Sequence, residues 1–372
     1  MAGSARLYLD YNATSPLRPP VRRALEAALS SPPANAGSVH GEGQASRSLL
    51  EAARRSVAAA LGAHRGRLVF TSGATEANNL ALANLLRLGP IAAPRTEHAS
   101  VTSWLERAQQ SEPASVVWLR VLPSGVVDLG SVDDALARGC RSVAIMAANN
   151  ETGVLQPLEP VRARCDQTGV HLHVDAAQVF MRLPTPTAAL ADSVAISAHK
   201  AGGPVGIGAL WWGPATELAA SQVGGMQERG ARAGTEAVWL ASAFAALVRE
   251  PEFEIWSRLE VVRDAFEAEL RARAAVAVNS AGVPRLPNTS NVAFVGRESE
   301  ELLAALDLAG VAASAGSACT AGSIDPSPVL IAMGLDEPTV RGSVRFSFGP
   351  GQERLDGREV AARVLAAIQW PG

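Results

Sequence analysis

Of the 33 lysine and arginine residues in the chain, one is a lysine, Lys200. A coding bias toward Arg, Ala and Gly explains why lysine is rare. It does not explain why one lysine persists where arginine would meet any surface need. Arginine stays protonated, whereas a lysine amine can lose its proton and add to a carbonyl. Lys200 is therefore a candidate Schiff-base residue. It stands in S-A-H-K-A-G-G-P-V-G-I-G (197–208), just past a strand-like run. Ser197 and His199 flank it, two polar side chains suited to an anion bound beside the amine. A solvated loop lysine would fit the local pattern too; the scarcity of lysine argues against it.

Cys319 lies in S-A-G-S-A-C-T-A-G-S (314–323), a run of small residues that cannot build a core. An exposed cysteine in such a loop is a candidate nucleophile; an incidental loop cysteine is the alternative. Cys140 and Cys165 sit among apolar neighbours and read as structural. In T-S-G-A-T-E (71–76) a turn opens a helix directly after the strand R-L-V-F. A helix N-terminus offers N–H groups and a positive dipole end to a phosphate, and Thr75 can add a hydroxyl. An ordinary N-cap by Thr75 or Ser72 accounts for the same residues.

In H-L-H-V-D-A-A-Q (171–178) a strand ends in Asp175, where ligands of open α/β sheets bind. A carboxylate there can hold the cationic ring nitrogen of a cofactor, or merely cap a helix. His171 and His173 alternate on the strand and read as satisfied interior histidines. No cysteine or carboxylate lies at metal-site spacing, so no metal is expected. Arg345, within the apolar strand S-V-R-F-S-F-G (343–349), must meet solvent or an anion. Its fork matches a carboxylate, either a ligand's or that of a structural ion pair.

The elements that must position these residues alternate. Strands are expected at 115–121, 142–147, 171–174, 193–197 and 208–212, with helices at 77–88 and 158–168 between them. That order argues for a mainly parallel sheet covered on both faces. Upstream lie a short strand near Leu7, a helix over 20–30, a loop over 31–43, and an amphipathic helix. The last presents Leu49, Leu50, Ala53, Val57, Ala60 and Leu61 on one face. A long helix runs from Pro251 through Arg271. Strand, helix, strand, strand and helix follow at 291–295, 299–309, 311–314, 343–348 and 354–370. A domain boundary is expected near 250.

The 372 residues allow two or three domains or one two-lobed enzyme. Hydrophobic residues at 48% and charged residues at 19% exclude a disordered or coiled-coil chain. A net charge of −3 with no basic stripe argues against a nucleic-acid binder. No apolar run reaches a membrane span, and no secretory signal is expected. Three scattered cysteines make no disulfide framework, so a cytoplasmic setting is expected.

Taken in order, L-D-Y-N-A-T-S-P, T-S-G-A-T-E-A-N-N-L, T-E-H-A-S, N-N-E-T-G-V-L-Q, H-V-D-A-A-Q, S-A-H-K, Q-E-R-G-A-R-A-G-T, A-G-S-A-C-T and S-V-R-F-S-F-G resemble the cysteine desulfurases of the NifS/IscS-like group. These belong to the class-V aminotransferases among the fold-type I pyridoxal 5'-phosphate (PLP) enzymes. The resemblance spans about Leu7 to Gly349. It implies an α/β fold with a large domain (16–249) built on a mainly parallel seven-stranded sheet covered by helices. A smaller α+β domain (1–15 with 250–372) would carry the cysteine loop.

By the same resemblance, Lys200 would bind PLP covalently, His98 would stack over its ring and shuttle protons, and Asp175 would hold the ring nitrogen. Gln178 would meet the phenolic oxygen. Ala74, Thr75, Ser197 and His199 would cradle the phosphate, with Thr235 reaching in from the partner of a homodimer. Arg345, Asn35 and Asn150 would hold the substrate carboxylate, Asn150 also touching the cofactor. Cys319 would take sulfur from L-cysteine as a persulfide, releasing alanine, for an iron–sulfur scaffold or sulfur carrier. A selenocysteine lyase or an aminotransferase on the same fold is the alternative, separated by the need for Cys319. A sulfur-carrier or assembly subunit without PLP is a third reading, against which Lys200, Asp175 and His98 argue.

Overall fold

The computed structural model describes residues 6–30, 34–185, 187–316 and 326–369. Its strands are β1 (Leu7–Tyr8), β2 (Arg67–Thr71), β3 (Ile91–Pro94), β4 (Val116–Leu119), β5 (Ser142–Met146), β6 (His171–Asp175), β7 (Ser193–Ser197), β8 (Gly208–Trp212), β9 (Val276–Val278), β10 (Thr289–Phe294), β11 (Val311–Ala312) and β12 (Ser343–Ser347). The helices are α1 (Pro19–Leu29), α2 (Gly41–Ala60), α3 (Ala74–Leu86), α4 (Ala99–Ser111), α5 (Leu129–Ala137), α6 (Leu158–Thr168), α7 (Val238–Arg249), α8 (Phe253–Arg273), α9 (Ser299–Leu308), α10 (Pro328–Ala332), α11 (Glu337–Arg341) and α12 (Gly357–Ala367).

Seven strands form one sheet in the order β2-β8-β7-β6-β5-β3-β4, and only β8 runs against the rest. Strands β5 to β8 are buried along their whole length, as a sheet covered on both faces requires. The two faces separate by alternation. Leu68, Phe70, Val143, Ile145, Val194 and Ile196 pack with α2 and α7, whereas Val69, Ala144 and Ala195 pack with α3 and α4. Register brings Asp175 beside Met146 and Ala195, and Ser197 beside Gly208. The chemistry-bearing ends of β6 and β7 thus meet at one edge. Gly208 allows this closeness: a Cβ there would sit 2.7 Å from the backbone of Gly73, which opens α3.

After α7 the chain builds a second apolar cluster. Trp256, Leu259, Phe266 and Leu270 of α8 pack with Val360 and Val364 of α12, over Val292, Val344 and Phe346 of the antiparallel sheet β12-β10-β9. Leu9 and Tyr11 join it, because β1 pairs in parallel with β11. The amino-terminal strand therefore brings residues 10–15 between this cluster and the large sheet.

Most expected elements are present. Sequence reading named neither β3 nor α4, α5 and α7. Leu49 is a correction: it is 54% exposed, while Leu50, Ala53 and Val57 form the buried stripe of α2. Adjacent residues of a helix point about 100° apart, so Leu49 and Leu50 cannot both face the sheet, and it takes Leu50. Among the described residues no helix is long and apolar enough to cross a membrane.

Candidate active site

A cavity of about 340 Å³ opens at the carboxyl edge of the large sheet. Ala74, Thr75, His98, Asn150, Asp175, Gln178, Ser197, His199, Lys200 and Arg345 all line it. Two expected residues do not. Asn35 and Thr235 share a separate surface groove beside α1 and α7. Thr235 also lines a cleft that shares Ser72 and Gly206 with the main cavity. Within one chain, then, neither Asn35 nor Thr235 joins the site: both lie on the outer surface that α1 and the 235–240 segment present. Cys319 lies outside the described residues.

Lys200 follows β7 in a single 3₁₀ turn, His199–Ala201. Its Nζ donates to the carbonyls of Asn12 (2.6 Å) and Ala13 (2.9 Å). Beneath it lies Arg182, which sequence reading missed. Arg182 is 1% exposed and has no carboxylate partner among the described residues. Its guanidinium donates to the Lys200 carbonyl (2.5 Å), Asn12 Oδ1 (2.8 Å), Gln178 Oε1 (2.7 Å) and the Tyr11 carbonyl (2.9 Å). Burial, with Arg345 nearby, pushes its pKa down to about 9. It also lies over the Trp256 ring, 4.7 Å from the centroid. No spacing rule joins Arg182 to Lys200 in sequence. The one local signal was its position four residues beyond Gln178.

Asp175 ends β6. Its Oδ2 accepts from Asn78 Nδ2 (2.7 Å) and its Oδ1 from the Ala177 N–H (2.9 Å). A carboxylate has further lone pairs for a ring N–H. His98 caps α4: its Nδ1 accepts from the Ser100 N–H at 3.0 Å. His199 Nδ1 lies 3.1 Å from Thr14 Oγ1, and burial beside Lys200 pushes its pKa down to about 4. His171 and His173 are buried and hydrogen-bonded to Ser193 and Asn78.

At the start of α3, Gly73 is extended and no side chain among the described residues caps the helix. Ser197 Oγ is buried nearby without a hydrogen-bond partner among the described residues. An uncapped helix end and an unsatisfied buried hydroxyl on one cavity wall form an anion cradle. Arg345 of β12 completes the wall. Its Nη2 is 2.7 Å from Asp10 Oδ1, its Nη1 donates to the Asn150 carbonyl (3.0 Å), and its Nε has no partner among the described residues. The ion pair and the ligand-facing position, two readings of Arg345 in the sequence, coexist.

Residues 7–356 match the model of the aminotransferase class-V family. The chain belongs to that family. The family's members depend on PLP. Among curated relatives, the cysteine desulfurase IscS of Dictyoglomus turgidum is 35% identical over 357 residues, covering 92% of this chain and 89% of that one. A cysteine desulfurase of Nostoc sp. is 37% identical over 354 residues, covering 92% and 87%. Among solved structures, a NifS-like protein from Rickettsia africae superposes with a TM-score of 0.85 at 29% identity, covering 98% of each chain. SspA, solved in complex with cysteine, gives 0.81 at 30% identity, covering 92% of this chain and 99% of that one.

The class-V site fits PLP on its own geometry. The orphaned Ser197 hydroxyl and the bare start of α3 suit a phosphate. Asp175 suits a ring nitrogen, and Lys200 suits an aldehyde.

Proposed function

We propose that this chain is a PLP-dependent L-cysteine desulfurase. The carrying observation is that the sole lysine shares one cavity with a buried carboxylate, an uncapped phosphate cradle and a buried arginine fork. When bound, the cofactor withdraws the electron pair released at the substrate Cα. The protein's residues do the rest. Asp175 holds the ring nitrogen protonated, Lys200 moves protons at the substrate carbon, and Arg345 with Asn150 orients the carboxylate. His98, on the cavity wall, would deliver a proton from its ring nitrogen.

Cys319 attacks the substrate sulfur as a thiolate. The bond between that sulfur and Cβ breaks, the carbon fragment gains a proton and leaves as L-alanine, and the sulfur stays as a Cys319 persulfide. A protein acceptor, an iron–sulfur scaffold or a sulfur carrier, then takes it. A free thiol is mostly protonated at neutral pH (pKa about 8.5), so a nearby base must assist. The small-residue run around Cys319 and a relative solved with cysteine support this reading over an aminotransferase.

We read residues 16–249 as the cofactor domain and 1–15 with 250–372 as the smaller one. Asn35 and Thr235 face a second copy in a homodimer. A reducing compartment, the cytoplasm, suits a persulfide carrier with the unpaired Cys140 and Cys165.

Two measurements on one preparation test the function. Borohydride reduction followed by mass mapping should fix the pyridoxyl group on Lys200 alone. Cys319→Ala should keep bound PLP and its spectral response to L-cysteine, yet form no persulfide and release no sulfide. Normal desulfuration by Cys319→Ala would remove the nucleophile assignment and favour a selenocysteine lyase.

A further inference from the structure

His171, His173 and Asp175 alternate along β6 and so share one face of the strand. Asn78, fully buried on α3, stands opposite them. Its side chain touches three groups: Asp175 Oδ2 at 2.7 Å, Ser100 Oγ at 3.0 Å and His173 Nε2 at 3.1 Å. We propose that Asn78 is a positioning residue that ties Asp175 to His98 in one hydrogen-bonded network, with every donor in the β6 branch aimed toward Asp175.

The direction of each bond follows from chemistry. A carboxylate only accepts, so the amide nitrogen of Asn78 faces Asp175. The amide oxygen then faces His173, whose Nε2 must carry a proton. Burial pushes the His173 pKa down to about 3, so the ring is neutral at pH 7 and its Nδ1 accepts. The hydroxyl of Ser193 supplies that hydrogen at 2.9 Å. Its proton committed there, the Ser193 oxygen accepts from His171 Nε2, also 2.9 Å away. The series His171, Ser193, His173, Asn78, Asp175 therefore donates one way.

The second branch turns toward the cavity. Asn78 donates to Ser100 Oγ, which stands 2.9 Å from His98 Nδ1. The Ser100 backbone N–H donates to the same nitrogen. With Nδ1 an acceptor, the proton of the neutral His98 ring is on Nε2. The network thus fixes two things at the cavity: an oriented Asp175 carboxylate, and a His98 that presents an N–H. A reversed Asn78 amide would set its oxygen against the carboxylate and leave His173 without an acceptor.

This inference rests on the PLP reading of Asp175 and His98. The test labels the histidines of the holoenzyme with 15N. Long-range proton–nitrogen correlation then reports which ring nitrogen carries the proton. Nε2–H on both His98 and His173 is expected. Asn78→Ala removes the donors, and Asn78→Asp keeps the shape but sets an acceptor against Asp175. Both should weaken PLP binding about tenfold or more in equilibrium titration, and Asn78→Ala, which takes the acceptor from His173 Nε2, should leave His173 in mixed tautomers while the Ser100 N–H still holds His98. A space-filling role predicts instead that Asn78→Asp stays near wild type. For turnover of L-cysteine, kcat should fall about tenfold with KM within about threefold.

Should the Asn78 variants not fold, Ser193→Ala reads the same chain from its far end and should leave His173 in mixed tautomers. Nδ1–H on His98 or His173 in the wild type overturns the proposal. So does an Asn78→Asp protein with wild-type tautomers and PLP affinity, or a Ser193→Ala protein with an unchanged His173. Because tautomers and PLP affinity are read without turnover, an enzyme that shows them but does not desulfurate L-cysteine would sink the functional reading and leave the network standing.

Discussion

Arg345 meets the cavity with its fork partly committed. Nη2 is held by Asp10 and Nη1 by the Asn150 carbonyl, while Nε has no partner among the described residues. Asp10 thus fixes the plane of the guanidinium, and an incoming carboxylate finds it already oriented. Lysine at this position would keep the charge and lose the planar fork. Arg345→Lys should raise KM for L-cysteine roughly 10- to 100-fold, equivalent to about 1.4–2.8 kcal/mol. Its kcat and PLP absorbance should change little. Steady-state kinetics beside a spectral titration reads both. Loss of PLP with KM unchanged would mean that Arg345 serves only the Asp10 pair.

At the scale of elements, the segment that leads to Thr235 is pinned to the edge of the large sheet. Glu228, with a side chain 3% exposed, accepts from Arg54 of α2 (2.5 and 3.1 Å) and from the Phe70 N–H of β2 (3.1 Å). Glu228 and Arg229 both sit in the left-handed region, φ 47° and 54°, a conformation that L-residues adopt at some cost. The ion pair and the Arg67 donations to the Glu228 and Arg229 carbonyls hold them there. Breaking one side of a buried pair costs about 3–5 kcal/mol, whereas replacing both with apolar groups is often neutral. Glu228→Ala should lose stability of that order in urea unfolding, and the double variant Arg54→Met/Glu228→Leu should regain most of it. Equal losses in the two would show that the pair contributes nothing beyond packing.

The same scale shows what the sequence could reveal. Strands β5 to β8 were legible because each is a short apolar run closed by a polar or glycine residue, and burial on both faces leaves that trace. Strand β3, I-A-A-P, was not: four residues ending in proline carry no pattern of their own, and their place comes from pairing with β4 and β5. Lys200, Asp175 and Ser197 were legible as chemistry at strand ends, and Arg345 as a charge inside an apolar strand. Arg182 and Asn78 were not, because their meaning lies in partners far along the chain: Lys200 and Tyr11 for one, Asp175 and His173 for the other. Hydrogen bonds of that range leave no period in a sequence.

For the whole molecule, the proposed homodimer would give a role to a groove outside the cavity. Thr235 and Asn35 line an outward groove whose floor includes Leu25, Leu29, Trp239 and Leu240. Leu29 in this groove and Val205 on the cavity wall are more than half exposed. The Gln222 side chain donates to the Ala233 carbonyl (2.8 Å), so Val223 and Met226 belong to the segment that carries Thr235. An exposed groove with apolar walls is the kind of surface an association face presents. A two-fold dimer would place each copy's Thr235 segment against the other's, beside the cleft that shares Ser72 and Gly206 with the PLP cavity. Two variants separate assembly from cofactor binding. Thr235→Val removes one hydroxyl and should weaken PLP binding about tenfold while the dimer persists in sedimentation. Trp239→Glu sets a charge in the apolar groove and should yield monomers that also lose PLP on dilution. A Trp239→Glu monomer with wild-type PLP affinity would mean that each copy completes its own phosphate site, and Thr235 would then have no part in it.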